Sequence, residues 1–319
     1  MNQLNCVFLD SGSTDNDDLD FSNIQSLCQW TTYDYTQERQ TAERIATADI
    51  VISNKVYLGK TELQKAENLK LICVAATGTN NVDLDYTNKK NIPVANVRAY
   101  ATPSVTQHVF SLMLMLHTHM HDFAGAVKQG AWNKAKHFCL LDYPITELQG
   151  KTIGIIGYGE LGKSVASVAT AFGMKVIIAE STVHPNMNGR VPLEELFSTA
   201  DVISLHCPLT EDTKEIINKN TLSLMKSSAI LINTARGGLV NETDLLVALQ
   251  NNGIAGAGLD VISKEPPVNN VLLNANLGNL IVTPHTAWAS RESRQRLVNE
   301  IALNIDAFLK GEKRNIVHL

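Results

Sequence analysis

The segment TIGIIGYGELGKSVA, Thr152 to Ala166, constrains this chain more than any other. An apolar run ends in Gly157-Tyr158-Gly159-Glu160-Leu161-Gly162, and a helical pattern begins at once. A G-x-G-x-x-G alone is a weak signal, but a strand before it and a helix after it are the context its mechanism requires. Gly157 permits the tight turn, Gly159 lets backbone amides approach a pyrophosphate, and Gly162 lets the helix pack on its strand, so that the helix N-terminus faces the anion. The next strand pattern ends at Glu180, 23 residues after Gly157. That is near the ~20 expected for a carboxylate that binds ribose hydroxyls. Ser181, Thr182 and Val183 follow, and the next Arg is Arg190, so no cation stands ready for a 2′-phosphate. The dinucleotide expected is NAD rather than NADP.

The same texture runs through the chain. CVFLD (Cys6 to Asp10), DIVISN (Asp49 to Asn54), LKLICVAA (Leu69 to Ala76) and IPVANV (Ile92 to Val97) precede the glycine turn as candidate strands. KVIIAE (Lys175 to Glu180), DVISLH (Asp201 to His206), AILIN (Ala229 to Asn233), AGAGLD (Ala255 to Asp260) and LIVT (Leu280 to Thr283) follow it. Strands alternating with helical patterns build parallel sheets covered on both faces, and six from Thr152 onward make a doubly wound sheet. A helix is expected from Pro103 to about His121 with Thr102 as its N-cap, and another from Ser290 to Lys310 ending at Gly311. With 319 residues against ~150 for a typical domain, the chain has material for two cores, both α/β.

Composition narrows the partners. The 27 Lys and Arg against 32 Asp and Glu give a net charge of -5, which offers no cationic field for nucleic acid or acidic lipid. The apolar run Val109 to Leu116 is far shorter than the ~20 residues of a bilayer span, so no membrane association is expected. The stretch from Cys6 to Leu9 reads as a first strand rather than a signal-peptide core. Five cysteines lie far apart without a C-x-x-C, which suggests neither a disulfide framework nor a zinc knuckle and fits a reducing cytoplasm.

Three segments after the glycine turn each close a strand with ionisable residues: NTARGG with Arg236, GLDVISKEPP with Glu265, and TPHTAWAS with His285. Ligands in open α/β sheets bind beyond the carboxyl ends of strands, so these residues should converge. An Arg, a Glu and a His together suit reduction of a carbonyl: the hydride leaves an alkoxide that needs a proton, and a His beside a carboxylate is a suitable donor. Trp288, three residues from His285, is a candidate for shaping the substrate pocket. His117 and His121 share a face if both lie on one helix, at zinc-ligand spacing, but no third ligand is evident; an interfacial histidine cluster with satisfied hydrogen bonds is the expectation, and no metal.

GKTIGIIGYGELGKSVA, SLHCPLTEDT, INTARGGLVNETDLL, GAGLDVISKEPP and TPHTAWASRESRQRL resemble, in order and spacing, the signatures of the D-isomer-specific 2-hydroxyacid dehydrogenase family over nearly the whole chain. CVAATGTNNVD, SVTQH and PHTAWAS most resemble its glycerate dehydrogenase (hydroxypyruvate reductase) branch. The resemblance implies a Rossmann NAD domain at residues 99–285 and a discontinuous, flavodoxin-like substrate domain at 1–98 and 286–319, with the active site in the cleft between them. It makes Arg236 the group that binds and polarises a 2-keto acid, His285 the acid/base and Glu265 its partner, and it gives the loop Ala76, Thr77, Gly78 to the substrate carboxylate. It assigns cofactor contacts to Thr77, Thr106, the Gly157, Gly159 and Gly162 turn with Glu160 and Leu161, Glu180, Cys207, the Thr234, Ala235, Arg236 segment, Asp260, His285 and Ala287. Asp260 would meet the nicotinamide carboxamide or hold Arg236, and Asn241 should cap the helix after ARGG. Val74 stands where the phosphoglycerate branch has an Arg, which disfavours a phosphorylated substrate. The activity implied is NADH-dependent reduction of hydroxypyruvate to D-glycerate, with glyoxylate a second substrate, in a homodimer formed through the NAD domain, where the apolar face around Val109 to Leu116 is available. Two alternatives are another D-2-hydroxyacid specificity such as D-lactate, and the dimeric NAD-sensing co-repressor scaffold also found among such proteins.

Overall fold

The computed structural model describes residues 3–181 and 189–318, so Thr182 and Val183, weighed above for NADP, lie outside the described residues. The strands, in chain order, are β1 Asn5–Phe8, β2 Gln29–Thr32, β3 Ile50–Ser53, β4 Leu71–Val74, β5 Val94–Ala95, β6 Thr152–Ile156, β7 Lys175–Ile178, β8 Val202–Leu205, β9 Ile230–Asn233, β10 Gly256–Leu259, β11 Leu280–Val282 and β12 Ile316–His318. They form two six-stranded sheets, ordered β12-β5-β4-β3-β1-β2 and β11-β10-β9-β8-β6-β7. The chain divides into two compact units, Met1–Ala101 with Trp288–Leu319, and Thr102–Ala287, each built on one sheet.

In the first unit the side chains alternate with the strand period of two. Cys6, Phe8, Ile52, Leu71 and Cys73 pack on one face with Leu297 and Ile301 of the Arg291–Leu309 helix, while Val7, Leu9, Val51, Ile72 and Val74 pack on the other with Ile45 and Leu63. That last helix is capped by Ser290, whose hydroxyl accepts from the Ser293 amide, and it ends at Gly311 with φ 76°, as its sequence led us to expect. Two edge strands escape sequence reading. β2 is QWTT, mostly exposed and without apolar alternation; β12 is three residues long and pairs antiparallel with β5, so this sheet is parallel except at one edge.

The second unit is parallel throughout. Its order reverses at β6, from which the chain goes to β7 on one side and to β8, β9, β10 and β11 on the other. This is the switch point at which an open sheet leaves a crevice. One face carries Leu205, Leu231, Ala257 and Leu259 under Leu196, Phe197, Leu222 and Leu245. The other lies under the Thr102–Thr118 helix, and β10 admits it closely by alternating glycine: a Cβ at Gly258 would stand 3.0 Å from that of Leu112, and one at Gly256 would stand 3.2 Å from Leu116 Cδ2.

Three expectations are corrected here. The helix begins at Thr102 itself, whose hydroxyl donates to Glu160 Oε1 instead of capping its own helix. It stops at Thr118, because His119 adopts φ 48° and a second helix, Met120–Lys128, starts, so His117 and His121 do not share one helix face. Finally, Val109, Phe110, Leu112 and Met113 are buried, so of the apolar run expected to form a face only Leu114, Met115 and Leu116 are partly exposed. The exposed apolar side chains lie further on, at Met120, Val127, Trp132, Phe138, Leu141 and Ile145.

Candidate active site

Strands β9, β10 and β11 are neighbours in register: Asn233, Leu259 and Val282 are paired across the sheet. Their continuations therefore leave its carboxyl edge side by side, carrying Arg236, Asp260 with Glu265, and His285. The structure joins Glu265 and His285 directly. His285 Nδ1 lies 2.6 Å from Glu265 Oε2, both side chains about a third exposed at 34%, and Glu265 Oε1 accepts from the Ile262 amide at 3.1 Å. A carboxylate accepts only, so Nδ1 carries the hydrogen and Nε2 is directed away from Glu265. His285 has φ 56°, a left-handed conformation that costs a non-glycine residue on the order of 1 kcal/mol.

Asp260 holds that conformation. It is 1% exposed; its backbone oxygen accepts from the His285 amide at 2.9 Å, Oδ1 from the Thr286 amide at 2.9 Å, and Oδ2 from the Ala287 amide at 2.8 Å. The Thr283 hydroxyl donates to Oδ1 at 2.6 Å. Asp260 therefore does not hold Arg236, as one of its two expected roles required. Arg236 is exposed, and its Nη1 donates to the Ala235 carbonyl at 2.7 Å. Its loop is instead fixed to the Glu265 loop backbone to backbone, because a Cβ on Gly237 would stand 1.9 Å from the carbonyl carbon of Ile262. Asn233 secures the near side: Nδ2 donates to the Arg236 carbonyl at 2.9 Å, and Oδ1 accepts from the Ala235 amide at 3.0 Å.

The glycine turn fits a dinucleotide. Gly157, at φ 98°, brings the β6 turn against β8, where a Cβ would stand 2.4 Å from the Cys207 amide nitrogen, and Gly162 lies so close that its Cβ would be 2.1 Å from the Gly157 carbonyl oxygen. A Cβ at Gly159, by contrast, would meet nothing within 4 Å. The turn is packed tight underneath and open above, where the Glu160–Ala171 helix presents first-turn amides that have no partner within it. Glu180, two residues past β7, is exposed beside this turn. At the end of β9 the Thr234 hydroxyl is buried without a hydrogen-bond partner among the described residues, a polar atom of the kind a bound group would satisfy. These features suit NAD.

Other expected residues have quieter surroundings. The Thr106 hydroxyl donates to Ser164 Oγ at 2.8 Å, and Cys207 is a buried thiol whose pKa burial pushes up to about 11, which leaves it unreactive. Its neighbour His206 meets Ser204 Oγ through Nε2 at 2.9 Å, and burial lowers its pKa to about 4. In the first unit, Thr77 Oγ1 donates to the Val97 carbonyl at 2.8 Å, and Asn96 Nδ2 donates to the Thr77 carbonyl at 2.7 Å, which holds the loop Ala76, Thr77, Gly78 open. Trp288 packs edge-on against Tyr100 at 6.3 Å. His117 bonds Thr146 Oγ1 through Nδ1 at 2.7 Å, while its buried Nε2 has no hydrogen-bond partner among the described residues, so that histidine is only half satisfied there. Among the described residues no group of three His, Cys, Asp or Glu side chains could hold a metal ion.

Sequence reading missed His108. Its Nε2 lies 2.9 Å from Thr283 Oγ1 and 3.5 Å from Asp260 Oδ1. The available signal was the i, i+4 spacing of Ser104 and His108 at the start of a helix whose next turns are apolar.

Residues 110–287 match the model of the D-isomer specific 2-hydroxyacid dehydrogenase, NAD binding domain. The chain belongs to that family. It is 46% identical over 312 residues to a glycerate dehydrogenase of Methylorubrum extorquens, covering 98% of each chain, and 41% identical over 320 residues to a hydroxypyruvate reductase of Blautia hydrogenotrophica, covering 98% of this chain and 99% of that one. Among solved structures, a D-lactate dehydrogenase from Aquifex aeolicus complexed with NAD and lactic acid aligns with a TM-score of 0.78 at 31% identity, over 97% of this chain and 96% of that one. The Glu265, His285 and Arg236 loops thus stand at the strand ends of a family member's NAD-binding unit.

Proposed function

We propose that this enzyme reduces hydroxypyruvate to D-glycerate with NADH, reversibly, and takes glyoxylate as a second substrate. The observation that carries this is the 2.6 Å hydrogen bond between Glu265 and His285, one loop from Arg236, in a chain whose relatives include a glycerate dehydrogenase and a hydroxypyruvate reductase. NADH, when bound, supplies the hydride. Gly157, Gly159 and the first turn of the Glu160–Ala171 helix would hold its pyrophosphate, Glu180 the adenosine ribose, and Thr234 and Asp260 the nicotinamide end.

The chain's own residues do the rest. Arg236 presents a planar, permanently charged fork that binds the carboxylate and carbonyl oxygens of a 2-keto acid together and draws electron density from the carbonyl. Glu265 accepts from His285 Nδ1 and stabilises the imidazolium, so Nε2 carries the proton given to the alkoxide. In the first unit the backbone amides of Ala76, Thr77 and Gly78 are suited to the substrate carboxylate, and Trp288 to limiting the size of its substituent. The first unit is the substrate domain and the second the NAD domain on this reading.

The deciding experiment is NADH oxidation with hydroxypyruvate, glyoxylate, pyruvate and 3-phosphohydroxypyruvate. Hydroxypyruvate should give the highest kcat/KM and glyoxylate the next. A preference for pyruvate would turn the assignment to D-lactate.

The exposed apolar side chains between residues 120 and 145, with Phe138 90% and Leu141 83% exposed, support a homodimer formed through this part of the second unit. Phe138→Asp should shift the protein from dimer to monomer in sedimentation, and an unmodified protein that already runs as a monomer would refute the dimer. Five free cysteines suit a reducing cytoplasm, and no helix of the described residues is long and apolar enough to cross a membrane.

A further inference from the structure

The Thr102–Thr118 helix and β10 run past each other in matched steps. Four helical residues rise about 6 Å and two strand residues about 6.6 Å, so every fourth residue of the helix meets every second residue of the strand. Leu116 lies over Gly256, Leu112 over Gly258, and one turn on His108 lies at Asp260. One turn further, Ser104 Oγ donates to the carbonyl oxygen of Ala287 at 2.7 Å. Glycine on the strand and leucine on the helix bring the two close, and that closeness delivers two polar side chains to the turn that carries His285.

At that turn the direction of one hydrogen bond can be worked out. The Thr283 hydroxyl has a single hydrogen, and of its two possible acceptors Asp260 Oδ1 at 2.6 Å takes it over the Leu259 carbonyl at 3.5 Å. The contact of 2.9 Å between His108 Nε2 and Thr283 Oγ1 therefore needs its hydrogen from the imidazole. His108 Nε2–H pins the threonine oxygen, the threonine pins the carboxylate, and the carboxylate takes the amides of Thr286 and Ala287 that keep His285 left-handed.

We propose that His108 is a positioning residue: through Thr283 and Asp260 it fixes the turn that aims His285. The proposal rests on the proton-donating role given to His285 above. Glutamine can place an amide nitrogen near the Nε2 position, asparagine falls short of it, and leucine fills the space without a donor.

Two readouts test this in His108→Leu, His108→Asn and His108→Gln. The first uses the protein without cofactor: amide hydrogen exchange at Thr286 and Ala287 should speed up in His108→Leu and His108→Asn and stay near wild type in His108→Gln, while the rest of the unit is unchanged. The second is kinetic. kcat for hydroxypyruvate should fall about tenfold in the Leu and Asn variants, the size of effect expected from losing one buried hydrogen bond, with little change in KM for NADH, and recover in the Gln variant. If His108→Leu does not fold, the Asn and Gln pair carries the same comparison. Unchanged exchange at the two amides in a folded variant overturns the proposal, and so does faster exchange there with kcat intact. A wild-type protein inactive on every 2-keto acid would instead remove the role of His285, and the exchange result would still decide whether His108 holds the turn.

Discussion

At the scale of single residues, geometry and charge separate groups that hold substrate from groups that hold cofactor. Arg236→Lys keeps the charge but replaces a planar fork with a point charge that cannot bind two oxygens in one plane. kcat/KM for hydroxypyruvate should fall roughly 100-fold, about 3 kcal/mol of transition-state binding, while NADH binding measured by fluorescence survives. A variant of near-normal kcat/KM would return Arg236 to a structural role. Glu180→Ala removes a remote contact from an otherwise intact site, so the KM for NADH should rise about tenfold with kcat preserved, and the preference over NADPH should narrow. Equal use of both cofactors by the unmodified enzyme would defeat that reading. Arg236, Glu265 and His285 were legible because each follows a run that reads as a strand of a parallel sheet, and the ends of such strands converge. His108 was not. It lies within a helix, and what gives it a purpose is Asp260, 152 positions away.

At the scale of elements, glycine decides where backbone may touch backbone. Gly157 and Gly237 stand where a Cβ would collide with main-chain atoms, at 2.4 and 1.9 Å, whereas Gly159 faces open space. Gly237→Ala should therefore cost about 2 kcal/mol or more, because neither loop can give way, and it should lower kcat by parting the Arg236 loop from the Glu265 loop. Gly159→Ala should leave Tm unchanged and weaken NADH binding, since the space it fills is the space assigned to the pyrophosphate. Tm against NADH affinity for the two variants checks both, and a Gly159→Ala protein of normal affinity would show that no phosphate sits there. Elements with strong periods and caps were readable, down to Asn241, whose side chain accepts from the Asp244 amide at 3.0 Å. The misses share a cause. β2 and β12 are edge strands of four and three residues, too short to show a strand period, and the break at His119 carries neither Gly nor Pro; there the imidazole bonds Asp122 at 2.9 Å, and histidine tolerates the left-handed conformation better than most residues.

At the scale of the whole molecule, the two units should respond differently to acid. In the second unit burial lowers the pKa of both His117 and His206 to about 4, against about 6.5 when the chain is unfolded. Between those values the unfolded chain binds protons that the folded unit refuses, so stability is full above pH 6.5 and falls as the pH drops toward 4. By pH 5 the loss is about 2 kcal/mol per histidine. The first unit holds no comparable histidine among its described side chains. Its Asp49 is held below the ordinary carboxylate range by Lys70 and the Asn5 amide despite partial burial, which brings a loss only below about pH 4, and Asp10, raised by burial, works in the opposite direction. Hydrogen exchange followed from pH 7.5 to 4.5 should therefore show Thr102–Ala287 losing protection first, while Met1–Ala101 with Trp288–Leu319 keeps it. The paired variant His117→Gln, His206→Gln should flatten the response of the second unit and leave the first untouched. If both units lose protection together, or if the paired variant keeps the wild-type slope, the acid sensitivity lies outside these two rings.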